Sequence, residues 1–381
     1  MPTSVRQTPG SPRHARPGRR RGVTALAAGT TLATVAVFAP FSASDEPSEA
    51  ALARTAQTAA TAQAGTATAE RTATAVRTEA ANKAASAART SRTSGGTAAI
   101  APVKSVVTPA KPALGSSVLF FGGAGDVTAL TKAAGQTVAT HSYGNLQGSV
   151  PTGRMVTVNA QGIPWTSVSS AAPGSALHND MIRWAKTIKA RGGTILMSFG
   201  HEPEVSAKIK QGTATQYRAA YRKVVDVFRS QGVTNVQWVY QATAWSFRVK
   251  STDRIAAANW YPGDDYIDVV GGDAYNWYTC GEGQNKDVPL STIGSGVLAF
   301  AKAHGKKASL PEFAAHSASN RGAWLSAGYN WMKANKDYFV AAFYFNRPPT
   351  NASNADCVWT LKTSTELSTY KAIAADAWTT Q

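Results

Sequence analysis

Between Val118 and Phe345 the chain repeats one alternation eight times: a short apolar or β-branched run, followed in most intervals by a longer amphipathic stretch. The runs are Val118–Gly122, Thr137–His141, Met155–Asn159, Thr194–Phe199, Val236–Gln241, Ile267–Gly271, Lys307–Pro311 and Val340–Phe345. Each has about the length of a β-strand buried on both faces. Helical patterns fill Leu177–Ala190, Thr215–Ser230, Leu290–His304 and Arg321–Asn335, and a last one covers Glu366–Trp378. Breakers close the helices at Arg191-Gly192-Gly193, Gln231-Gly232 and His304-Gly305. Eight buried strands separated by helices predict parallel pairing, and so an α/β fold of the (β/α)8 TIM barrel type. A doubly wound open sheet is the competing arrangement. The Gly122-Gly123-Ala124-Gly125 turn lacks the full G-x-G-x-x-G pattern that a dinucleotide-binding sheet of that kind carries.

Composition divides the chain. Every Trp lies between Trp165 and Trp378, and before Leu114 the only aromatic residues are Phe38 and Phe41. Ala, Thr and Ser bury too little apolar surface to offset chain entropy. Residues 45–114 therefore read as a disordered, low-complexity linker rich in Ala and Thr, and residues 115–381 as the (β/α)8 catalytic domain. Within residues 1–44 an Arg-rich start, including Arg19-Arg20-Arg21, precedes the nearly uncharged run Val23–Phe41 and the small residues Ser42, Ala43 and Ser44. That order is a secretory signal, with an uncleaved anchor as the alternative, and places the domain outside the cell.

The net charge of +17 suggests nucleic acid until its location is considered. Residues 1–114 hold 14 Lys/Arg against 5 Asp/Glu, about half of the surplus. No arginine-rich helix, zinc-finger spacing or RNA-recognition signature occurs, so nucleic acid is not an expected partner. Weak association with acidic cell-wall polymers is the plainer consequence, and a monomer is expected. The two cysteines, Cys280 and Cys357, both fall in the exported domain, where a structural disulfide suits an oxidising compartment. No metal or other cofactor is expected.

Chemistry in such barrels gathers where strands end at the C-terminal face. The fourth run leads directly into His201-Glu202-Pro203-Glu204, and the seventh into Glu312-Phe313. Two carboxylates facing each other across a barrel mouth suit glycoside hydrolysis with retention, which uses a pair about 5–5.5 Å apart. One must be protonated to help the leaving sugar depart, and the other ionised to attack the anomeric carbon. Taken singly, a strand-end Glu could as well cap a helix or form an ion pair. Pro203 turns the chain, so Glu204 is expected to point away, into the rim or a salt bridge.

The stretches SFGHEPE (198–204), NVQWVYQ (235–241), WYPGDDYIDVVGGDAYNW (260–277) and LPEFA (310–314) together resemble glycoside hydrolase family 26, which contains many β-mannanases. The resemblance covers the whole domain in matching order. It implies a (β/α)8 barrel with retaining chemistry, Glu202 as acid/base and Glu312 as nucleophile. By the same resemblance His201 contacts the sugar or positions the acid, and Tyr275 donates a hydrogen bond to the nucleophile. The chain departs from the mannanase pattern at Ser198, where an Arg is usual four positions before the acid. It departs again at Pro203-Glu204-Val205 and at Phe345-Asn346-Arg347, where an aromatic continuation and a Trp platform are usual. An endo-β-1,4-mannanase is the first expectation, with a β-glucanase, a xylanase or a non-catalytic carbohydrate-binding barrel as alternatives.

Aromatic side chains after strand ends could stack on sugar faces: Trp165, Trp245 and Trp277. Each could equally pack between helix and barrel. His141 and Tyr143, at the end of the second strand, and Asp273, after the sixth, are further candidates for contact with the sugar. The implied partner is a polysaccharide.

Overall fold

The computed structural model describes residue 114, residues 118–348 and residues 355–379. The signal expected at 1–44 and nearly all of the linker expected at 45–114 lie outside the described residues. The eight strands close into one parallel barrel in sequence order: β1 Phe120–Gly125, β2 Ala139–Asn145, β3 Met155–Asn159, β4 Ile195–Phe199, β5 Val236–Thr243, β6 Val269–Asn276, β7 Lys307–Ala315 and β8 Phe339–Asn346. The closing ladder pairs β1 with β8 in parallel from Phe120–Ala341 to Gly125–Asn346. The open doubly wound alternative is thereby excluded.

Strand alternation builds two cores. Phe120, Met155, Leu196, Val239, Val269 and Phe343 point inward and fill the barrel floor. Residues of the opposite parity, such as Val156, Met197, Tyr240 and Val270, pack beneath the helices. Gly122 is required where it stands, because a Cβ there would lie 1.7 Å from the Ala139 carbonyl oxygen of β2.

The predicted helices are found at Ala176–Arg191, Ala214–Ser230, Leu290–Ala303 and Arg321–Ala334, with the last one shortened to Ser364–Ala374. Thr213 with Gln216 and Thr363 with Glu366 form reciprocal capping boxes at two of the helix starts. Several strands run farther toward the mouth than the apolar runs suggest. β2, β6 and β7 extend through Asn145, Asn276 and Ala315, so Tyr143, Asp273, Tyr275 and Glu312 stand within strands rather than after them.

β7 carries the irregularity that shapes the mouth. Ser309 pairs with Gly271 of β6 and Phe313 with Ala274, so β7 advances four residues while β6 advances three. Against β8, Leu310–Ala342 is followed by Phe313–Tyr344, again one residue extra on β7. Leu310 and Phe313 both face the helix layer. The two residues between them, Pro311 and Glu312, are thus accommodated by a β-bulge. In a regular strand Glu312 would share the parity of Leu310 and point outward into the helix layer; the extra residue turns it into the barrel. Pro311 has no N–H for the ladder, which suits it to this position.

Glu366 holds the last helix to the barrel wall. Its carboxylate accepts from Arg321 Nε and Nη2, both at 2.6 Å, and from the backbone N–H of Lys362 at 2.8 Å and of Thr363 at 2.9 Å. Burial pushes this carboxyl up, but Arg321 and the two N–H groups outweigh it and hold the group below its usual value. Glu366→Ala would leave the buried Arg321 guanidinium unpaired, at a cost of about 3–5 kcal/mol in denaturant unfolding at pH 7. Because the folded value is depressed, this contribution is present above the unfolded value and disappears as pH falls through the folded one. A loss below about 1 kcal/mol would show the pair to be dispensable.

Candidate active site

The chain leaves β4 through Gly200 at φ +62° and reaches Glu202 at φ +46°, a left-handed backbone that side-chain-bearing residues seldom adopt. Such a conformation costs about 1–3 kcal/mol and persists only where its surroundings hold it. Here the Glu202 N–H donates to the Gln241 carbonyl of β5 at 2.9 Å, and the Gly200 N–H to the Val158 carbonyl of β3 at 2.9 Å. Glu202 is half-buried. Burial, then the charges of Glu312 and Glu204, raise its carboxyl to about 8, against the opposing pull of Lys208.

Glu312 is buried on the bulge and is held at both oxygens. Tyr143 Oη of β2 donates to Oε1, and Tyr275 Oη of β6 donates to Oε2. Burial holds this carboxyl above its ordinary value, and the two tyrosine hydroxyls and the charges of Lys208 and Arg347 restrain that rise without reversing it. Burial and the neighbouring Glu312 charge keep both phenols well above their ordinary values, so both remain donors. The hydrogen bond expected of Tyr275 is present. Tyr143, expected at the sugar, makes the matching bond to the other oxygen.

Beneath this pair lies a buried polar layer. His141 Nδ1 is 2.8 Å from the Pro311 carbonyl and 3.1 Å from Tyr143 Oη, and its Nε2 is 2.8 Å from Thr157 Oγ1. Thr157 stands 2.9 Å from Gln241 Oε1, and Gln241 Nε2 lies 2.9 and 3.1 Å from the two oxygens of Asp273. With both ring nitrogens engaged and the ring 2 % exposed, His141 belongs to the support under Glu312. It is not a surface that a sugar could touch.

His201, half-buried at the rim, has Nδ1 3.1 Å from Asn159 Oδ1 of β3. Burial and the adjacent Lys208 hold its ring well below the ordinary histidine value, hence neutral. Lys208, on the one-turn helix Ser206–Ile209, donates to the His201 carbonyl at 2.8 Å. Burial lowers its ammonium, and the charges of Glu202, Asp273, Glu312 and Glu204 draw it back up. Ser198, at the position where an Arg is usual, is fully buried and its hydroxyl has no partner among the described residues. Positive charge near Glu312 comes instead from Lys208, six positions after Glu202, and from Arg347 after β8. Glu204 turns away as expected: Oε1 accepts from the Thr243 N–H at 2.7 Å and its hydroxyl at 2.8 Å.

The three tryptophans separate. Trp165 is 1 % exposed and packs edge-on against Phe199 and Tyr217, so it is core and offers no stacking face. Trp245, on the short turn Ala244–Phe247 after β5, is 59 % exposed, with Arg248 above its ring. Trp277 is half-buried against Tyr275 and Trp359. The expected disulfide links Cys280, after β6, to Cys357, after β8, and so ties together two loops of the mouth. Lys208, Arg347, Thr157, Gln241 and Asn159 were not singled out from the sequence. Only inward parity on β3 and β5 could have pointed to the last three.

A closed parallel barrel thus gathers buried carboxylates, phenols and a lysine at its mouth, an arrangement that glycoside hydrolysis can use. The pattern of Glycosyl hydrolase family 26 matches residues 179–342, from within the helix before β4 through the first half of β8. Over that stretch the chain is similar to the family. Among curated proteins, Endoglucanase H of Acetivibrio thermocellus is 27 % identical over 192 residues, covering 48 % of this chain and 20 % of that protein. The chain therefore spans about a fifth of that relative's length. Among solved structures, a Bacteroides ovatus GH26 β-mannanase aligns at 15 % identity and TM-score 0.45, over 69 % of this chain and 90 % of the other. The catalytic domain of a Bacillus sp. JAMB-750 endo-β-1,4-mannanase aligns at 17 % and 0.48, over 70 % and 88 %.

Proposed function

We propose that the chain hydrolyses a β-linked polysaccharide by double displacement, with Glu312 as nucleophile and Glu202 as acid/base. The observation that carries this reading is the unequal treatment of the two carboxylates. Glu312 receives a phenolic hydrogen bond on each oxygen, which favours its anion. Glu202 faces burial and two carboxylate charges, which favour its protonated form. Glu202 gives its proton to the glycosidic oxygen as Glu312 attacks the anomeric carbon, forming a glycosyl ester and freeing the leaving sugar. Glu202, now ionised, takes a proton from water as that water attacks the same carbon and regenerates Glu312.

His201 and Tyr275 border the reacting sugar, and Trp245 and Trp277 offer stacking faces along the mouth. The first substrate reading is β-1,4-mannan, cut internally outside the cell. The match to an endoglucanase favours a β-glucan as the second. Reducing-end release from mannan, glucomannan, β-glucan and xylan distinguishes them, with NMR following the first-formed anomer. A β-anomer appearing first is expected. An α-anomer would mean inversion, and binding without release on every polymer would mean a non-catalytic barrel.

A further inference from the structure

Tyr143 and Tyr275 hold Glu312 alike but are themselves held differently. Tyr143 Oη also lies 3.1 Å from His141 Nδ1, so a second polar contact fixes its hydroxyl. Tyr275 Oη has Glu312 as its one polar partner among the described residues. What aims it is a cage of rings: Trp359 at 5.0 Å and 60°, Phe345 at 5.8 Å and 76°, and Trp277 at 5.9 Å and 45°. The phenol oxygen stands at the far end of its side chain, so a tilt of the ring moves the hydroxyl most. A misplacement of about 1 Å in a catalytic contact can cost on the order of 10²-fold in rate.

Trp359 is the closest wall of that cage, and it comes from neither a strand nor a helix. It sits on the segment 355–362, which returns over the ends of β6, β7 and β8. Cys357 is bonded to Cys280 beyond β6. The Val358 N–H donates to His316 Nδ1, just past β7, at 3.0 Å, and the Val358 carbonyl accepts from Arg321 Nη1 at 3.0 Å. The Trp359 carbonyl accepts from Tyr344 Oη at 2.7 Å, and the Leu361 N–H donates to Asn346 Oδ1, at the end of β8, at 2.9 Å. The indole is buried and meets Trp277 edge-on at 5.3 Å and 85°. The disulfide turn closes directly on this pair: a Cβ at Gly281 would lie 2.7 Å from the Trp277 ring and 3.5 Å from Cys357 Sγ. A loop bonded so densely to three strand ends holds its indole in one place.

We infer that Trp359 is a positioning residue for Glu312 that acts through Tyr275. The pinned segment sets the indole, the indole sets the Tyr275 ring, and the Tyr275 hydroxyl holds Glu312 Oε2. Being buried, Trp359 offers no face to a sugar. The groups that face Glu312 are His141 and Tyr143 on β2, Tyr275 and Asp273 on β6, Glu202 and Lys208 after β4, and Arg347 after β8. Of these, Tyr275 is the one whose ring Trp359 meets. The Tyr275 bond restrains the rise of the Glu312 carboxyl, so loosening it makes the nucleophile easier to protonate. Glu312 must be ionised to attack, and the acid limb of kcat/KM therefore moves to higher pH.

This inference rests on the assignment of Glu312 as nucleophile, and a double-mutant cycle in the full-length protein, with soluble glucomannan as substrate, keeps the two apart. W359A should lower kcat about tenfold or more with KM little changed, and raise the acid limb of kcat/KM by about one pH unit. Y275F removes the hydroxyl outright and should shift the limb in the same direction. W359A/Y275F should add little to Y275F, because the route from Trp359 to Glu312 is already cut. Additive effects, or an acid limb unmoved in W359A, overturn the inference. So does a rise in KM alone, which would put the indole against the sugar. W359L keeps apolar bulk without the flat ring. If W359A does not fold, the cycle runs on W359L, where a smaller shift that vanishes in the Y275F background is expected and an unmoved limb is equally fatal. Full activity in Glu312→Ala would instead remove the nucleophile assignment. An additive cycle in an enzyme that Glu312→Ala inactivates counts against Trp359 alone.

Discussion

Replacing Glu312 by alanine is expected to lower polysaccharide hydrolysis by on the order of 10⁴-fold or more, while circular dichroism and the unfolding midpoint stay close to the parent's. Fold should survive because the bulge depends on Pro311 and on the outward packing of Leu310 and Phe313, not on the carboxylate. The alanine also relieves a buried carboxyl whose burial is unfavourable to its charge. Tyr143 and Tyr275 lose their acceptor, but the space vacated between them can admit a small anion. With azide added and an activated aryl glycoside as substrate, the variant should form the α-glycosyl azide, because attack comes from the side that Glu312 held. Glu202→Ala treated in the same way should give the β-azide, through a glycosyl-enzyme formed on Glu312. If both variants gave the same anomer, the assignment of the two roles would be lost. Polysaccharide hydrolysis at the parental rate in Glu312→Ala would end the proposed mechanism outright.

The barrel was legible because its evidence is periodic: eight short apolar runs, helices between them, and breakers at their ends. Two classes of feature were not. The first is local backbone irregularity. Leu310-Pro311-Glu312 reads as a strand ending at proline, whereas the strand continues to Ala315 and the extra residue turns Glu312 inward. A pattern of alternation cannot reveal a bulge that breaks the alternation. The second class depends on how loops fold back. Lys208 lies in the unpatterned stretch Val205–Gly212, and only the one-turn helix after β4 brings its ammonium to the His201 carbonyl. Trp165 erred in the opposite direction. Its place after β3 suggested the mouth, but its short helix turns the indole into the core against Tyr217. His141 and Tyr143 were found at the right strand end, but their contacts with Pro311, Thr157 and Glu312 were not, since inward parity does not say which neighbour a side chain meets.

Glu202 gives the second large effect, and it is read against pH. An acid that must hold a proton in the free enzyme works below its titration point, so kcat/KM on polysaccharide should fall as pH rises through about 8. Glu202 and Glu312 titrate as an interacting pair, so the alkaline limb belongs to the pair rather than to one group alone. Glu202→Gln cannot ionise: it should lose that limb and lower the rate on polysaccharide by about 10²–10⁴-fold. Aryl glycosides with acidic leaving groups need no proton to depart, and their glycosylation should be much less affected. An alkaline limb near pH 8 that survives in Glu202→Gln would assign it to another group. The same burial has a consequence for stability with a definite sign. The folded value lies above the unfolded one, so between them the native state binds more protons, and stability falls as pH rises from about 4.5 to about 8. Above that range the full cost of an ionised Glu202 is present in the native state, next to a left-handed backbone already held under strain. Glu202→Gln should therefore unfold at a higher temperature than the parent at pH 9 and differ little from it at pH 4. An enzyme less active yet more stable under alkaline conditions is the combined signature expected of a carboxylic acid kept protonated by its surroundings for catalysis.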